Sequence, residues 1–506
     1  MADQITNNSS GVPEDTNKPI MSSFDQSKLR ELIRLMEKQQ LSSDPVLSKR
    51  ERDEAAEQQA THEFWNTQPV PKSIETIQKD GPLHPPLKPE EIRQDPYALP
   101  EGMVWCELDI ERDSEMTELH ELLLNHYVED SDSMFRFSYS AEFLRWALMP
   151  PGFSKLWHVG VREAGTGVLL AFISGIPVDV MVRDRTMGMA EINFLCLHKS
   201  LRSQRLAPLL IKEVTRRVHQ VGIFQAIYTA GRLLPKPVST CRYFHRTLNP
   251  RKLMDTGFSK KLEGVQLLKL QAALRLPAQP GVAGLRAMRK GDVGQVRKLL
   301  NRQLKTRCEV APVFKTDAEI AHWFLPRQGV IWTYVVEDAE HPGRVTDFVS
   351  FYSLPSSVLK APSAQGGSGV RAKGVRKPPG AISKTASQQH AMVNAAYLFY
   401  YGTKTDYDVV LTAEEKAAAG GQKKEKALVK ERVDALIKER LTELMRDALV
   451  MASAAQFDVF NCLDMMDNAM FTSELRFGPG DGFLRYYFFN YMARNVDASK
   501  VGFVMV

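Results

Sequence analysis

The amino-acid sequence predicts an α/β protein made of two similar halves, and three observations support this fold class. Motifs recur in one order and at nearly one offset: Glu142–Trp146, followed by Pro and Gly152, returns as Glu319–Trp323, followed by Pro and Gly329. Strand patterns alternate with helical ones in both copies, as in α/β folds. With 506 residues, 43% hydrophobic and 25% charged, the chain has the composition of a globular protein of two or three domains.

Each copy is expected to run strand, helix, helix, antiparallel hairpin and then a strand that leads into a helix. The first hairpin strands recur as Trp157–Val161 and Trp332–Val336. Turn residues follow both, at Ala164–Gly167 and at His341–Gly343.

The composition along the chain predicts its division. We expect a disordered N-terminal arm over residues 1–60, a first half over 61–280 and a second half over 281–506. The segment His62–Lys72, which contains two prolines, is expected to be extended. Two inserts, near 360–390 and near 408–440, interrupt the second half.

The second insert separates a strand from its helix. The strand Asn394–Tyr400 reaches the helix Leu441–Ala454 only after the mixed-charge run Lys423–Arg440, which is expected to form a solvated helix.

The net charge of +6 originates in the first insert, which has six basic residues and no acidic one. They are Lys360, Arg371, Lys373, Arg376, Lys377 and Lys384. The segment could attract an anionic partner such as the ribosome or an acidic membrane surface. A solvated insertion without a partner is the other interpretation.

The cysteines and the apolar segments indicate in which compartment of the cell the protein is expected. Five cysteines, far apart and never in CxxC spacing, are typical of reduced thiols and indicate no disulfide framework and no metal site. The longest apolar stretch, Val168–Val182, is broken by Gly175, Pro177 and Asp179, so no membrane span is expected. The first residues carry no secretion signal, and we expect a cytoplasmic monomer.

Only the first half has a basic turn between a strand and a helix. The strand Ala190–His198 runs into Lys199–Arg205, and the helix Ala207–Gln220 follows, with Pro208 near its first turn. A helix N-terminus surrounded by cations can bind a phosphate or pyrophosphate. An ordinary basic surface loop is the alternative.

Longer motifs resemble one family. Glu191–His219 (EINFLCLHKSLRSQRLAPLLIKEVTRRVH) is similar to the first signature of eukaryotic N-myristoyltransferase, and Arg476–Tyr491 (RFGPGDGFLRYYFFNY) is similar to the second. The segments FWNTQPVPK, YVEDSDSMFRFSYS and KVGFVMV also look like that family, in order. The resemblance implies two pseudo-symmetric halves, each like an acyl-CoA N-acyltransferase (GNAT-like), around a continuous mixed sheet.

The same resemblance implies the reaction. Myristate passes from myristoyl-CoA, a co-substrate, to the α-amine of an N-terminal glycine of a protein, by direct attack of the amine on the thioester. The C-terminal carboxylate of Val506 would be the base, and the backbone amides of Phe194 and Leu195 the oxyanion hole. Asn193, Thr229 and Asn394 would help to hold the amine or a water molecule.

The resemblance also implies the binding residues. The residues for CoA and the thioester are His62, Phe64, Trp65, Phe194, Leu195, Cys196, Leu197, Arg202, Ser203, Gln204, Arg205, Leu206, Ala207 and Pro208. The residues for the peptide are Tyr127, Asp130, Asp132, Phe135, Phe137, Tyr243, His245, Asn394, Asp481 and Gly482. Asp130 and Asp132 would face a basic residue of the substrate.

Two other functions are compatible with parts of the sequence. An acetyl-CoA-dependent amine acetyltransferase would use the basic turn but not the FGPGDG motif or the apolar C-terminus. A non-catalytic module that binds acyl-CoA or an N-terminal glycine would need no base.

Overall fold

A computed structural model describes most of the chain. The described residues are 63–72, 77–128, 134–202, 204–260, 262, 264–359, 392–404 and 422–506. The predicted arm over 1–60 and the insert near 360–390 lie outside them, as does the first part of the insert near 408–440. Within these ranges, no helix combines the length and the apolar character that a membrane crossing requires.

A mixed sheet of 13 strands forms the centre of the fold. The strands among the described residues are β1 (Gly81–Pro82), β2 (Met103–Glu107), β3 (Phe135–Phe137), β4 (His158–Glu163), β5 (Leu169–Val182), β6 (Arg185–Leu197), β7 (Ala226–Ala230), β8 (Ser239–Thr247), β9 (Leu285–Ala287), β10 (Val310–Pro312), β11 (Ile331–Glu337), β12 (Val345–Ser353), β13 (Ser356–Val358), β14 (Met392–Val393), β15 (Ala395–Thr403), β16 (Val459–Leu463), β17 (Gly478–Phe489) and β18 (Tyr491–Met492). Strand order in the large sheet is β2-β4-β5-β6-β7-β17-β8-β16-β15-β12-β11-β9, with β10 added on β5. Its strands pair antiparallel except β6 with β7 and β15 with β16, which are parallel.

The strand order is the same from either end of the sheet. The first six strands, β2, β4, β5, β6, β7 and β17, correspond in order to β9, β11, β12, β15, β16 and β8. Both predicted hairpins are present, as β4–β5 and β11–β12. At the centre, β17 lies between β7 and β8, so the two repeats exchange strands. The predicted α/β fold of two pseudo-symmetric halves around one continuous mixed sheet is confirmed.

The helices repeat in the same way. They are α1 (Glu63–Asn66), α2 (Asp113–His126), α3 (Ala141–Leu148), α4 (Leu206–His219), α5 (Pro250–Asp255), α6 (Val265–Ala273), α7 (Val293–Arg307), α8 (Asp317–Phe324), α9 (Gln422–Ala454) and α10 (Ala469–Thr472). Ser140 and Thr316 cap α3 and α8 through hydrogen bonds to amides in their first turns. The repeated motif therefore begins each copy of this helix in the same way.

The two copies of the repeated tryptophan motif meet in the core. The rings of Trp146 on α3 and Trp323 on α8 lie 5.2 Å apart between centroids, edge to face. Trp146 Nε1 donates to the His322 carbonyl at 3.2 Å, and the His322 ring is hydrogen-bonded to the Trp146 carbonyl at 2.7 Å. This reciprocal contact joins the two repeats.

The mixed-charge run of the second insert does form a helix, but not a separate one. It is the start of α9, a single helix of 33 residues that continues through the predicted Leu441–Ala454. Arg307 on α7 contacts Asp434 at 2.7 Å, and Arg440 contacts Asp347 on β12 at 2.7 Å. The C-terminal part of this run therefore packs on the body of the protein, while most of its earlier described side chains are exposed.

Candidate active site

Strand β6 contains a bulge at the residues that the resemblance assigns to the oxyanion hole. Between Phe172 and Ser174, one residue of β5 faces two residues of β6, Phe194 and Leu195. Phe194 has a left-handed backbone with φ of 54°, a conformation that is costly for a side chain of this size. The amide of Phe194 donates to Oδ1 of Asn193 at 2.9 Å instead of to the neighbouring strand.

The C-terminus reaches this bulge from the far end of the chain. A carboxylate oxygen of Val506 accepts a hydrogen bond from Nδ2 of Asn193 at 2.5 Å. The amide of Val504 donates to the Tyr400 hydroxyl at 2.9 Å, and the final residues of the chain are buried or half-buried. Asn193 therefore contacts both the terminal carboxylate and the amide of Phe194.

A cavity of about 490 Å³ opens beside the bulge. Its wall combines Asn193, Phe194 and Leu195 with Thr229 on β7 and is otherwise mainly apolar. The other lining residues include Trp65, Tyr127, Ile173, Ile192, Ile211, Val214, Val218, Phe224, Tyr228 and Phe489. A large apolar cavity with a few polar groups at one place is the usual form of a site for a hydrophobic ligand.

The basic turn begins helix α4. Arg205 precedes the first residue of this helix with φ of 55°, and its side chain makes no capping hydrogen bond. Its guanidinium is largely exposed and lies 3.3 Å from the Glu63 carboxylate. Arg202 donates to the carbonyl of His126 at 2.6 Å, and Gln204 lies in the same turn. Amide groups at the start of α4 and these cations form a site suited to phosphate.

The positive potential of this turn also acts on a neighbouring histidine. His126 ends α2, and its ring lies 4.0 Å from the ring of His198 between centroids. Burial, and then the charges of His198, Lys199 and Arg202, lower the pKa of His126 to about 4. Burial and the surrounding positive charges therefore keep this ring neutral at pH 7.

The arm before the sheet differs from the expectation. The sequence predicts an extended segment from His62 to Lys72, but Glu63–Asn66 forms the short helix α1. The ring of Trp65 stacks on Tyr228 at 5.8 Å, and Tyr228 stacks on Tyr487 at 5.3 Å. Trp65 therefore closes one side of the cavity, while Phe64 contacts Trp65 edge to face at 5.1 Å.

Aromatic residues predicted for the peptide lie beside the bulge and beyond it. The rings of Tyr127 and Phe194 are 5.8 Å apart. Phe135 lies 5.7 Å from Phe258, whose ring is also 5.7 Å from that of His245. The remaining predicted aromatic residues, Phe137 and Tyr243, are half-buried and pack against the same core.

The glycine-rich turn approaches this wall closely. The pairing of β17 with β8 is interrupted between Pro479 and Phe483, so Asp481 and its two neighbouring glycines leave the ladder. A Cβ atom added to Gly480 would lie 2.3 Å from Nε2 of His245, which explains the need for glycine there. Burial lowers the pKa of His245, against the effects of its hydrogen bond to Asn461 and of the charge of Asp481. His245 is thus a neutral ring held at 2.7 Å from the Asn461 amide oxygen.

Asn394, which is predicted for the peptide, is held by the residues before β16. The main-chain amide of Asn394 donates to the buried carboxylate of Asp458 at 2.8 Å, and its side chain donates to the Gln456 carbonyl at 3.4 Å. Asn394 does not line the cavity beside the bulge. Its position in the sequence before β15 did not reveal this orientation. Four other predicted residues, His62, Asp130, Asp132 and Ser203, lie outside the described residues.

Two residues at the site were not predicted. Tyr400 holds the C-terminal segment, and Glu191 is buried on the same strand as Asn193. Since side chains alternate along a strand, the spacing of two residues between Glu191 and Asn193 was a signal that both face the same side. Tyr400 gave no such signal, because it belongs to the other repeat.

The arrangement defines a class of enzyme. Four features meet at this site: a bulged strand, a helix start with cations, an apolar cavity and the half-buried C-terminal residue Val506. This combination suits the transfer of an acyl group from a CoA thioester to an amine. The site is that of an acyltransferase.

The chain belongs to the myristoyl-CoA:protein N-myristoyltransferase family. The model of the N-terminal domain of that family matches residues 82–241. The model of the C-terminal domain matches residues 255–366 and 381–504. The resemblance noted in the sequence is therefore confirmed.

Relatives from several organisms are similar over nearly the whole chain. A probable glycylpeptide N-tetradecanoyltransferase of Caenorhabditis elegans is 40% identical over 458 residues, which cover 90% of this chain and 88% of the relative. Glycylpeptide N-tetradecanoyltransferase 2 of Danio rerio is 42% identical over 478 residues, covering 94% and 83%. A crystal structure of Saccharomyces cerevisiae N-myristoyltransferase with bound myristoyl-CoA has a TM-score of 0.75 and 38% identity, covering 88% of this chain and 99% of that one.

Proposed function

We propose that this enzyme transfers myristate from myristoyl-CoA to the α-amine of an N-terminal glycine, with the Val506 carboxylate as the base and the amides of Phe194 and Leu195 as the oxyanion hole. The observation that carries the proposal is the position of Asn193. It contacts the terminal carboxylate with one side-chain atom and the Phe194 amide with the other, at the edge of the apolar cavity. The names of the similar proteins support the same reaction.

The proposed chemistry needs two proton transfers and one stabilised oxyanion. The Val506 carboxylate takes a proton from the glycine ammonium group, which becomes a neutral nucleophile. The amine attacks the thioester carbonyl, and the developing negative charge is stabilised by the amide of Leu195 and by that of Phe194, which then donates to the oxyanion instead of to Asn193. The C–S bond breaks, and the second proton of the amine passes to the departing sulfur, so that CoA leaves as the thiol and the new amide is neutral. Asn193 orients the base throughout.

No covalent enzyme intermediate is part of this proposal. Cys196 is buried in the core beside α2, with Sγ 3.8 Å from the Leu122 carbonyl. Burial raises the pKa of this thiol to about 12, so it is protonated at neutral pH and a poor nucleophile.

In this proposal, two features of the first repeat bind the acyl donor. The apolar cavity takes the acyl chain, because its wall offers mainly hydrophobic side chains. The start of α4, with Arg202, Ser203, Gln204 and Arg205, takes the CoA phosphates. Phe64 and Trp65 close over the cofactor from the arm, and His62, which lies outside the described residues, is proposed to contact it as well. This assigns myristoyl-CoA binding to the half over 61–280.

We assign the peptide to the side of the bulge away from the acyl cavity. The wall of this peptide site is formed by Tyr243, His245 and the turn at Asp481 and Gly482. The peptide approaches it from the half over 281–506. We propose that Asp130 and Asp132, which lie outside the described residues, pair with a basic residue of the substrate. The Asp130→Ala and Asp132→Ala double variant should weaken the binding of basic peptides more than that of neutral ones. An equal loss of affinity for both kinds of peptide would exclude this charge pairing.

The size of the cavity favours a long acyl chain over an acetyl group. A cavity of about 490 Å³ is far larger than a two-carbon group requires. Mass spectrometry of a peptide that begins with glycine, incubated with myristoyl-CoA or acetyl-CoA, compares the two donors directly. We expect a tetradecanoyl mass gain with myristoyl-CoA, and an alanine-first peptide is the control.

Deletion of Val506 separates an enzyme from a binding module. The shortened enzyme should lose turnover and keep its affinity for myristoyl-CoA, because the carboxylate moves away from Asn193. Unchanged turnover would refute the role of the C-terminus as base.

A further inference from the structure

The side chain of Glu191 is the buried acid closest in sequence to the bulge. It lies two residues before Asn193 on β6, and its strand neighbours are Ile176 on β5 and Ile227 on β7. Only 7% of its surface is exposed. An acid between aliphatic strands contributes little to a core, so its presence calls for another reason.

Glu191 and the C-terminus line one small cavity. This cavity of about 40 Å³ is separate from the large apolar one and is also lined by Val504 and Tyr400. The volume is enough for one water molecule. The rest of its wall is apolar: Val178, Pro312, Phe314, Trp323, Phe399 and Phe503.

Few titratable groups face Glu191 in this cavity. Strand β5 contributes Val178, β10 and the residues after it contribute Pro312 and Phe314, and α8 contributes Trp323, none of which titrates. The groups that do are the Tyr400 hydroxyl on β15 and the terminal carboxylate of Val506. Tyr400 Oη already accepts from the Val504 amide at 2.9 Å.

The apolar surroundings determine the charge of Glu191. Burial alone raises the pKa of its carboxyl group to about 8, since an ionised acid is poorly solvated there. At pH 7 the group is therefore mostly neutral. A neutral carboxyl group has a proton to donate, whereas an ionised one only accepts.

We propose that Glu191 is a positioning residue for the C-terminal base: its neutral carboxyl group donates a hydrogen bond across the small cavity to the Val506 carboxylate, directly or through one water molecule. This inference rests on the proposed role of Val506. Asn193 holds the terminal carboxylate on the side of the bulge, and Glu191 holds it from within the sheet. Ionisation of Glu191 removes the donor and sets a second negative charge against the terminus.

The pH dependence of single-turnover transfer tests this role. We compare the wild type with E191Q, whose amide still donates but does not titrate, and with E191L, which cannot donate. The substrate amine titrates equally in all three, so the ratio of E191Q to wild-type rates isolates Glu191. A group with a pKa of about 8 is about tenfold less protonated at pH 9 than at pH 7, and the ratio should rise by about that factor. E191L should be about tenfold slower than the wild type at pH 7.

A matched buried acid provides the control. Burial raises the pKa of Asp464 to about 6, but this residue does not line the small cavity. D464N should show the same change in single-turnover transfer rate between pH 7 and pH 9 as the wild type. A ratio for E191Q that stays flat between pH 7 and 9, or wild-type rates in E191L, would overturn the inference.

A second measurement does not depend on transfer. Because the pKa of Glu191 is higher in the folded than in the unfolded protein, wild-type stability should fall as the pH rises toward 8, and E191Q should not share this loss. Urea unfolding at pH 6 and pH 8.5 measures the difference, and identical pH dependence in both proteins would also refute the inference. Failure of the wild type to transfer any acyl group would instead refute the proposed function.

Discussion

Replacing Asn193 by alanine should slow transfer while leaving the cofactor bound. The change removes the hydrogen bond of 2.5 Å to the Val506 carboxylate and the acceptor of the Phe194 amide. A hydrogen bond to a charged group contributes about 1.5–3 kcal/mol. If this whole free energy stabilises the transition state, its loss should lower kcat by about 10- to 150-fold.

The assay separates the base from the acyl site. Single-turnover transfer to a glycine-first peptide measures the chemical step, and equilibrium titration with myristoyl-CoA measures cofactor affinity, which should change less than about threefold because Asn193 touches only the edge of the cavity. Asn495→Ala, an exposed asparagine near the C-terminus, is the control for loss of an amide. A loss of less than threefold in kcat, or a loss confined to cofactor affinity, would refute the role of Asn193 in orienting the base.

Three further variants test other parts of the structure. Gly480→Ala puts a Cβ atom 2.3 Å from Nε2 of His245, so the peptide KM should rise at least about tenfold in steady-state kinetics, with unchanged myristoyl-CoA affinity. Glu213→Gln leaves Arg216 and Arg217, at 2.6 and 2.8 Å, without their buried carboxylate, and should cost about 3–5 kcal/mol in urea unfolding. These arginines lower the pKa of Glu213 against the effect of burial, so the wild type should lose this stabilisation as the pH falls below the ordinary value for glutamate, and the variant should not. A short Gly-Ser linker in place of 360–390 should leave kcat unchanged, since the flanking strands β13 and β14 pair directly; lost turnover would place the insert in the site.

Most of the candidate site could be predicted from continuous sequence motifs. The bulge at Phe194 and Leu195, the turn at Arg202 and Arg205 and the closing position of Trp65 all lie where those motifs placed them. Their roles remain proposals, but the residues themselves were identified from local sequence. Each belongs to a continuous motif, and local motifs keep their geometry from one relative to another.

Other positions could not be read from the sequence. Asn394 precedes a strand of the second repeat, and nothing in its neighbours indicated that its amide would bind Asp458. The helical conformation of Glu63–Asn66 depends on Trp65 stacking against Tyr228, a contact between distant segments. The left-handed backbone of Arg205, with φ of 55°, is not a conformation that arginine prefers, and its sequence did not predict it.

The sequence by itself determined the repeated α/β order, both hairpins and the family, because these follow from local periodicity, turn residues and long motifs. The tertiary structure alone decided which distant groups meet. Asn193 and Val506 are 313 positions apart, and they touch because β6 and the C-terminal segment are brought together by a sheet in which the two repeats exchange their central strands. The neutral acid beside them follows from the same packing, since only the surrounding side chains, and not the identity of Glu191, raise its pKa.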